Sequence, residues 1–200
     1  MAHYPLLPHP TYDESDFATW EDGFTPAECD NIIQLGESLR LGNSSVSPGV
    51  TEGSKINTAI RQSQNSWIPL DNRSKWLYDR IANISRCLNG LNWRFEISGF
   101  NEHLQYTKYE STNKDFYGWH TDGYVKGDGP PRKLSLTIQL SDPNDYEGGA
   151  FQIHGSKLST APKARGLTVV FPSYTLHQVT PVTKGVRKSL VVWLVGPPFK

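Results

Sequence analysis

The amino-acid sequence predicts a mainly β protein, a β-sandwich or jelly roll with helices buttressing one sheet. Three observations point there. Helical periodicity is confined to the stretch before residue 93. Seven short β-favouring runs follow, at 93–100, 103–109, 134–141, 149–154, 166–171, 176–182 and 187–195. Turn chemistry separates many of them, as in Gly127-Asp128-Gly129-Pro130-Pro131, Asp142-Pro143-Asn144-Asp145 and Gly155-Ser156.

Residues 1–24, with Pro5, Pro8 and Pro10, read as an extended arm. Thr25-Pro26-Ala27-Glu28 then starts a helix: Thr25 is the N-cap, Pro26 the first helical residue, and Glu28 closes a capping box. Ile32, Ile33, Leu35 and Leu39 form its apolar stripe, and Gly42 is expected to end it. The segment 42–66 is rich in Ser, Asn, Gly and Thr and reads as a lid that orders over substrate. A second helix is predicted over 71–88, with Trp76, Leu77, Arg80, Ile81 and Ile84 at helical spacing and Asn89-Gly90 closing it. Among the β-runs, residues 134–140 alternate without a break, the pattern of a half-buried strand.

The chain has 200 residues, the length of one domain over 1–200. Its 20 basic and 20 acidic side chains cancel, which argues against a nucleic-acid partner, since nonspecific binding needs a basic surplus. Its longest apolar run, Leu190 to Val195, is far short of the ~18 residues of a membrane span. The first 39 residues contain no Lys or Arg, so the basic head of a signal peptide is missing. Cys29 and Cys87 read as two reduced thiols. The expected location is the cytoplasm; the sequence leaves the oligomeric state open.

Chemistry concentrates in three places. His120-Thr121-Asp122 puts an imidazole and a carboxylate on one side of an extended backbone, close enough to share a metal. His177 opens a β-run after two further strands and supplies a third ligand. Two imidazoles and a carboxylate, with open positions left over, suit non-haem Fe(II), though zinc hydrolases use similar ligands. Arg187 opens the last run, in which Arg187, Ser189, Val191 and Trp193 share one face while Lys188, Leu190, Val192 and Leu194 share the other. Arg187 and Ser189 can therefore donate together to one carboxylate.

In this order, His120-x-Asp122, His177 and Arg187-x-Ser189 resemble the Fe(II)/2-oxoglutarate-dependent dioxygenases. The nearer likeness is to the prolyl 4-hydroxylase-like and PKHD-type hydroxylase branch. Gln105-Tyr106-Thr107-Lys108-Tyr109 is similar to the strand before the first ligand in that branch. Residues 134–143, Tyr146-Glu147-Gly148-Gly149-Ala150-Phe151, Val169-Val170-Phe171-Pro172 and Val179-Thr180-Pro181-Val182 resemble its later strands. The resemblance covers about 93–196. It implies a double-stranded β-helix (jelly-roll, cupin-like) core with the N-terminal helices packed on one sheet.

The resemblance also implies roles. His120, Asp122 and His177 would hold Fe(II). Arg187 and Ser189 would grip the far carboxylate of 2-oxoglutarate, helped by Tyr109 and flanked by Thr137, Gln139, Phe151, Val179 and Trp193. Many relatives carry an aromatic residue where this chain has Gln139. O2 would be the oxidant, with ascorbate as a supporting reductant. Related halogenases lack a carboxylate at the position of Asp122, and related nucleic-acid demethylases carry a second arginine where this chain has Trp193. The implied activity is hydroxylation of a prolyl residue in a peptide or protein, coupled to decarboxylation of 2-oxoglutarate to succinate and CO2. Arg61, Trp67, Trp119 and Tyr124 are the candidate substrate wall. The alternatives are a free amino acid or other small molecule as substrate, or a non-catalytic metal-binding jelly-roll module.

Overall fold

The computed structural model describes residues 15–43, 59–123 and 129–199. Most of the expected arm (1–14) and of the expected lid (44–58) lies outside the described residues, as does Tyr124.

The first described strand, β1 (Ala18–Trp20), leads into helix α1 (Pro26–Glu37). The capping box forms: the Glu28 N–H donates to the Thr25 hydroxyl, and the Thr25 N–H donates to the Glu28 carboxylate. The helix stops at Glu37, short of Gly42, which instead starts strand β2 (Gly42–Asn43). Its fully buried residues are Cys29, Ile32 and Gly36, while Leu35 and Leu39 are half-buried. Gly36 is there because a methyl group at its Cα would enter the Tyr106 ring.

Helix α2 (Lys75–Asn92) starts later than predicted and runs through Asn89-Gly90. Asn89 bonds forward, its amide donating to the Phe95 carbonyl and accepting the Phe95 N–H. The chain turns at Arg94, which takes φ 55°. Before α2, the segment read as a loop contains two strands, β3 (Arg61–Gln62) and β4 (Gln64–Ile68). They are short and polar, and backbone pairing rather than apolar alternation makes them.

The remaining strands are β5 (Gly99–Phe100), β6 (Leu104–Glu110), β7 (Phe116–His120), β8 (Arg132–Gln139), β9 (Tyr146–Gly148), β10 (Phe151–His154), β11 (Leu158–Thr160), β12 (Thr168–Pro172), β13 (Leu176–Val179) and β14 (Val182–Val195). The major sheet runs β1-β12-β8-β14-β6-β4-β2, with β5 and β9 pairing to the two ends of β14. The minor sheet runs β11-β10-β13-β7-β3. All pairs are antiparallel, and the predicted jelly-roll core with helices against one sheet is present. Ser63 alone separates β3 in the minor sheet from β4 in the major one.

The helices pack on one face of the major sheet, over Leu104, Tyr106, Leu134, Leu136, Ile138, Val170, Leu190, Val192 and Leu194. The other face looks toward the minor sheet, where Phe151, Ile153, Val169, Phe171, Val179 and Val182 form a second apolar cluster. Residues 134–139 are thus buried on both sides rather than half-buried as predicted. Ser135, Thr137 and Gln139 face the minor sheet instead of water, and Thr137 lines the cavity between the sheets. Cys29 is buried, Cys87 is exposed, and both are free thiols. Among the described residues, no helix is long and apolar enough to cross a membrane.

Candidate active site

Strand pairing assembles the site. His120 ends β7 and His177 lies on β13, and the two are direct partners across that pair. Asp122 follows β7 by two residues and is tied down where its N–H donates to the Ser173 carbonyl at 2.8 Å. His120 Nε2 stands 3.7 Å from Asp122 Oδ1, and His177 Nε2 stands 3.4 Å from Asp122 Oδ2. One ligand atom from each residue lies within 4.8 Å of the others.

Each imidazole is oriented by its far nitrogen. His120 Nδ1 lies 2.7 Å from the Gly118 carbonyl, and His177 Nδ1 lies 2.9 Å from the Thr175 carbonyl. A carbonyl only accepts, so each Nδ1 carries a hydrogen, which leaves Nε2 as the nitrogen that can ligate a metal. Burial first, and His177 second, push His120 down to about 3, so its ring is neutral. Burial by itself would raise the Asp122 carboxyl, but its polar surroundings, His177 and His120 first and then Trp193 and Arg132, hold the group below its ordinary value. Ser135 Oγ donates to Asp122 Oδ2 at 2.8 Å and also lies 3.0 Å from Ser173 Oγ.

The three ligands open into a narrow cavity between the sheets that continues into open solvent. Arg187 lies on β14 directly across from Tyr109 on β6, and both line it, as do Ser189, Val191 and Trp193. Arg187 is 1% exposed. Its Nη1 bonds Ser189 Oγ at 3.3 Å and its Nη2 bonds Gln139 Oε1 at 3.1 Å. Its Nε has no hydrogen-bond partner, and among the described residues no carboxylate pairs with it. Gly149, at φ 55°, makes room for it: a methyl there would lie 2.9 Å from Arg187 Cδ. Lys188 takes the opposite face, where its Nζ meets Glu37 at 2.8 Å. Tyr106 also points to the helices, its hydroxyl donating to Glu37.

Thr137, Phe151 and Val179 line the cavity as well. Gln139 is not among the lining residues; its carbonyl is spent on Arg187. Of the candidate substrate wall, Arg61 lines the cavity. Trp119 does not: beside inward-facing His120 it takes the outer face and packs on His154. Trp67 is also absent from the lining, 41% exposed beside Trp193. Sequence reasoning missed Gln105, Tyr117, Phe171 and Ser135. Tyr117 stacks on the His120 ring at 3.4 Å, and its place three residues before a candidate ligand was the only available signal.

A double-sheet core carrying a two-histidine, one-carboxylate cluster defines a class. Residues 104–195 match the model of the 2OG-Fe(II) oxygenase superfamily, the stretch in which the sequence resemblance lies. Among curated proteins, a PKHD-type hydroxylase of Azoarcus sp. is 39% identical over 97 residues, covering 41% of this chain and 38% of the relative. The PKHD-type hydroxylase YbiX of Escherichia coli O157:H7 is 41% identical over 92 residues, with the same shares. The matched stretch spans about two fifths of the length of these relatives. Among solved structures, a prolyl-4-hydroxylase from Pseudomonas putida superposes with TM-score 0.64 at 20% identity, over 90% of this chain and 92% of that one. A prolyl hydroxylase from Trichoplax adhaerens, solved with a hypoxia inducible factor peptide fragment, superposes with TM-score 0.71 at 20% identity, over 90% and 84%.

Proposed function

We propose that this chain is an Fe(II)- and 2-oxoglutarate-dependent dioxygenase that hydroxylates a prolyl residue in a peptide or protein. One observation carries the reading: a single cavity holds a two-histidine and carboxylate cluster together with a buried arginine that has no carboxylate partner among the described residues. The donor set fits Fe(II), being two imidazole nitrogens and one carboxylate with the cavity side open. The arginine fits one end of a diacid. The PKHD-type relatives and the prolyl hydroxylase structures support the choice of prolyl substrate.

His120 and His177 each offer Nε2, and Asp122 offers its carboxylate. Bound Fe(II), with 2-oxoglutarate and O2, supplies the oxidising chemistry that couples hydroxylation to release of succinate and CO2. The chain orients and shields. Arg187 and Ser189 hold the far carboxylate, and Tyr109 lies against the guanidinium at 5.4 Å. Phe151, Phe171 and Val179 wall the cavity with apolar surface and limit the water that competes there.

Two measurements test this. Protein supplied with Fe(II), 2-oxoglutarate and ascorbate should form succinate, and His120→Ala or His177→Ala should abolish it while the fold persists. Proline-containing peptides should raise turnover and gain one oxygen on proline by mass spectrometry. Stimulation by free amino acids alone would move the enzyme to small-molecule substrates, and full activity in both histidine variants would remove the metal assignment.

A further inference from the structure

The cavity contains a second buried arginine. Arg61, on β3, is 6% exposed. Its Nε donates to Ser63 Oγ and its Nη2 to Gln105 Oε1, each at 3.0 Å. Its guanidinium lies 4.5 Å from the centre of the Tyr117 ring, which stacks in turn on His120. All of these partners are neutral. Among the described residues, Nη1 donates to nothing and no carboxylate pairs with Arg61. The contrast with other arginines is sharp: Arg73, Arg80, Arg132 and Arg165 are more exposed, yet each has an acidic partner.

A buried charge without a counter-ion is costly, and a chain keeps one where a ligand supplies the opposite charge. The cosubstrate does not meet this need. When a divalent metal and a doubly charged diacid are bound they balance each other, and Asp122 balances one arginine. One positive charge is left. Arg187 belongs to the end of the cavity where β14 meets β6 and β8, whereas Arg61 belongs to the β3–β7 edge. The uncompensated charge is therefore on the side of the first metal ligand.

We propose that Arg61 receives a carboxylate of the substrate, so that the substrate is an acidic one. The inference rests on reading the cavity as a 2-oxoglutarate site. Nη1 and the neighbouring edge of Nη2 are the donors left for a two-point contact. Two sources share this chemistry: an acidic side chain beside the proline, or the free carboxylate of a terminal or free amino acid.

The test uses the protein loaded with Mn(II) and 2-oxoglutarate under argon, with affinities read by calorimetry. One arm compares end-blocked peptides carrying Glu or Gln beside proline. The other compares a peptide ending in a free prolyl carboxylate with its amide, and includes free proline. In one arm the acid form should bind at least ~tenfold tighter than its neutral counterpart, and that arm identifies the source. Arg61→Gln should bring the ratio to within about twofold, and Arg61→Lys, which keeps the charge, should retain a preference for the acid. Should Arg61→Gln fail to fold, the wild-type ratios and the Lys variant still decide. If the wild type binds 2-oxoglutarate but takes acid and neutral probes equally, or takes none, the proposal is overturned. If it does not bind 2-oxoglutarate at all, the reading of the cavity fails first, and the two failures are distinguishable.

Discussion

The two faces of the major sheet are made by the same strands yet differ in kind. Toward the helices, Leu134, Leu136, Ile138, Leu190, Val192 and Leu194 pack as an ordinary apolar core. Toward the minor sheet, the intervening Ser135, Thr137, Gln139, Arg187 and Ser189 are buried just as deeply. Alternation of apolar and polar residues here does not separate inside from outside. It separates an apolar face that packs on the helices from a buried polar face turned to the minor sheet. A polar face can be buried because its members bond each other, as Gln139 and Ser189 bond Arg187.

That contrast can be broken at its strongest point. Arg187→Ala should weaken 2-oxoglutarate binding by well over tenfold, because losing one partner of a desolvated charge pair costs ~2–5 kcal/mol. Lys188→Ala, one residue on and facing the helices, should change it little. The reverse ranking, measured by calorimetry, would show that the binding face has been misassigned. Gln139→Glu is the next test. A carboxylate at that place would neutralise Arg187 internally and compete with the cosubstrate, so affinity should fall by about tenfold or more without loss of thermal stability. Unchanged affinity would mean that Arg187 carries no cosubstrate.

The helix face should respond in stability instead. Gly36→Ala overpacks the α1–Tyr106 contact and should cost ~1–3 kcal/mol in denaturant unfolding, with 2-oxoglutarate affinity unchanged. A drop in affinity of equal size would show that the faces are coupled. The smallest effect concerns Glu37. Burial would raise its carboxyl, but hydrogen bonds from Lys188 and Tyr106 outweigh that and hold it below the ordinary 4.5. The unfolded chain then binds more protons in acid, so this stabilisation is present above pH 4.5 and is lost as pH falls through the folded value. Glu37→Gln should flatten the stability profile below pH 4.5; a profile identical to wild type would show that the carboxylate contributes nothing.

Much of this was legible in the sequence because strand period is rigid. The separation of Arg187 from Lys188, and of Tyr109 from Tyr106, follows from a repeat of two once the strand is recognised. The α1 cap was legible because its four residues act locally. What escaped notice depends on distant partners. Ser135 became a support of Asp122 only through the pairing of β8 with β12 and the turn at Ser173. Tyr117 lies in a strand interrupted by Gly118, whose N–H pairs with Ile60, and no apolar run announced it. Gly36 looked like a poor helix former, and its purpose appears only when Tyr106 is laid against it. Trp119 was misplaced because its neighbour, His120, had already claimed the inward direction.

Strand β14 has a consequence for how the chain matures. Its 14 residues pair with β9, β5, β6 and β8, and it comes after every other described strand in chain order. During synthesis, His120, Asp122 and His177 all emerge before it. Until it does, β6 and β8 present open edges where the centre of the major sheet will be, and such edges attract other chains. The nascent chain therefore acquires all three candidate ligands before the wall bearing Arg187 exists, and a ribosome that stalls before residue 182 leaves a chain whose open sheet edges are prone to aggregate. Expression hosts with ample chaperone capacity should consequently raise the yield of full-length material.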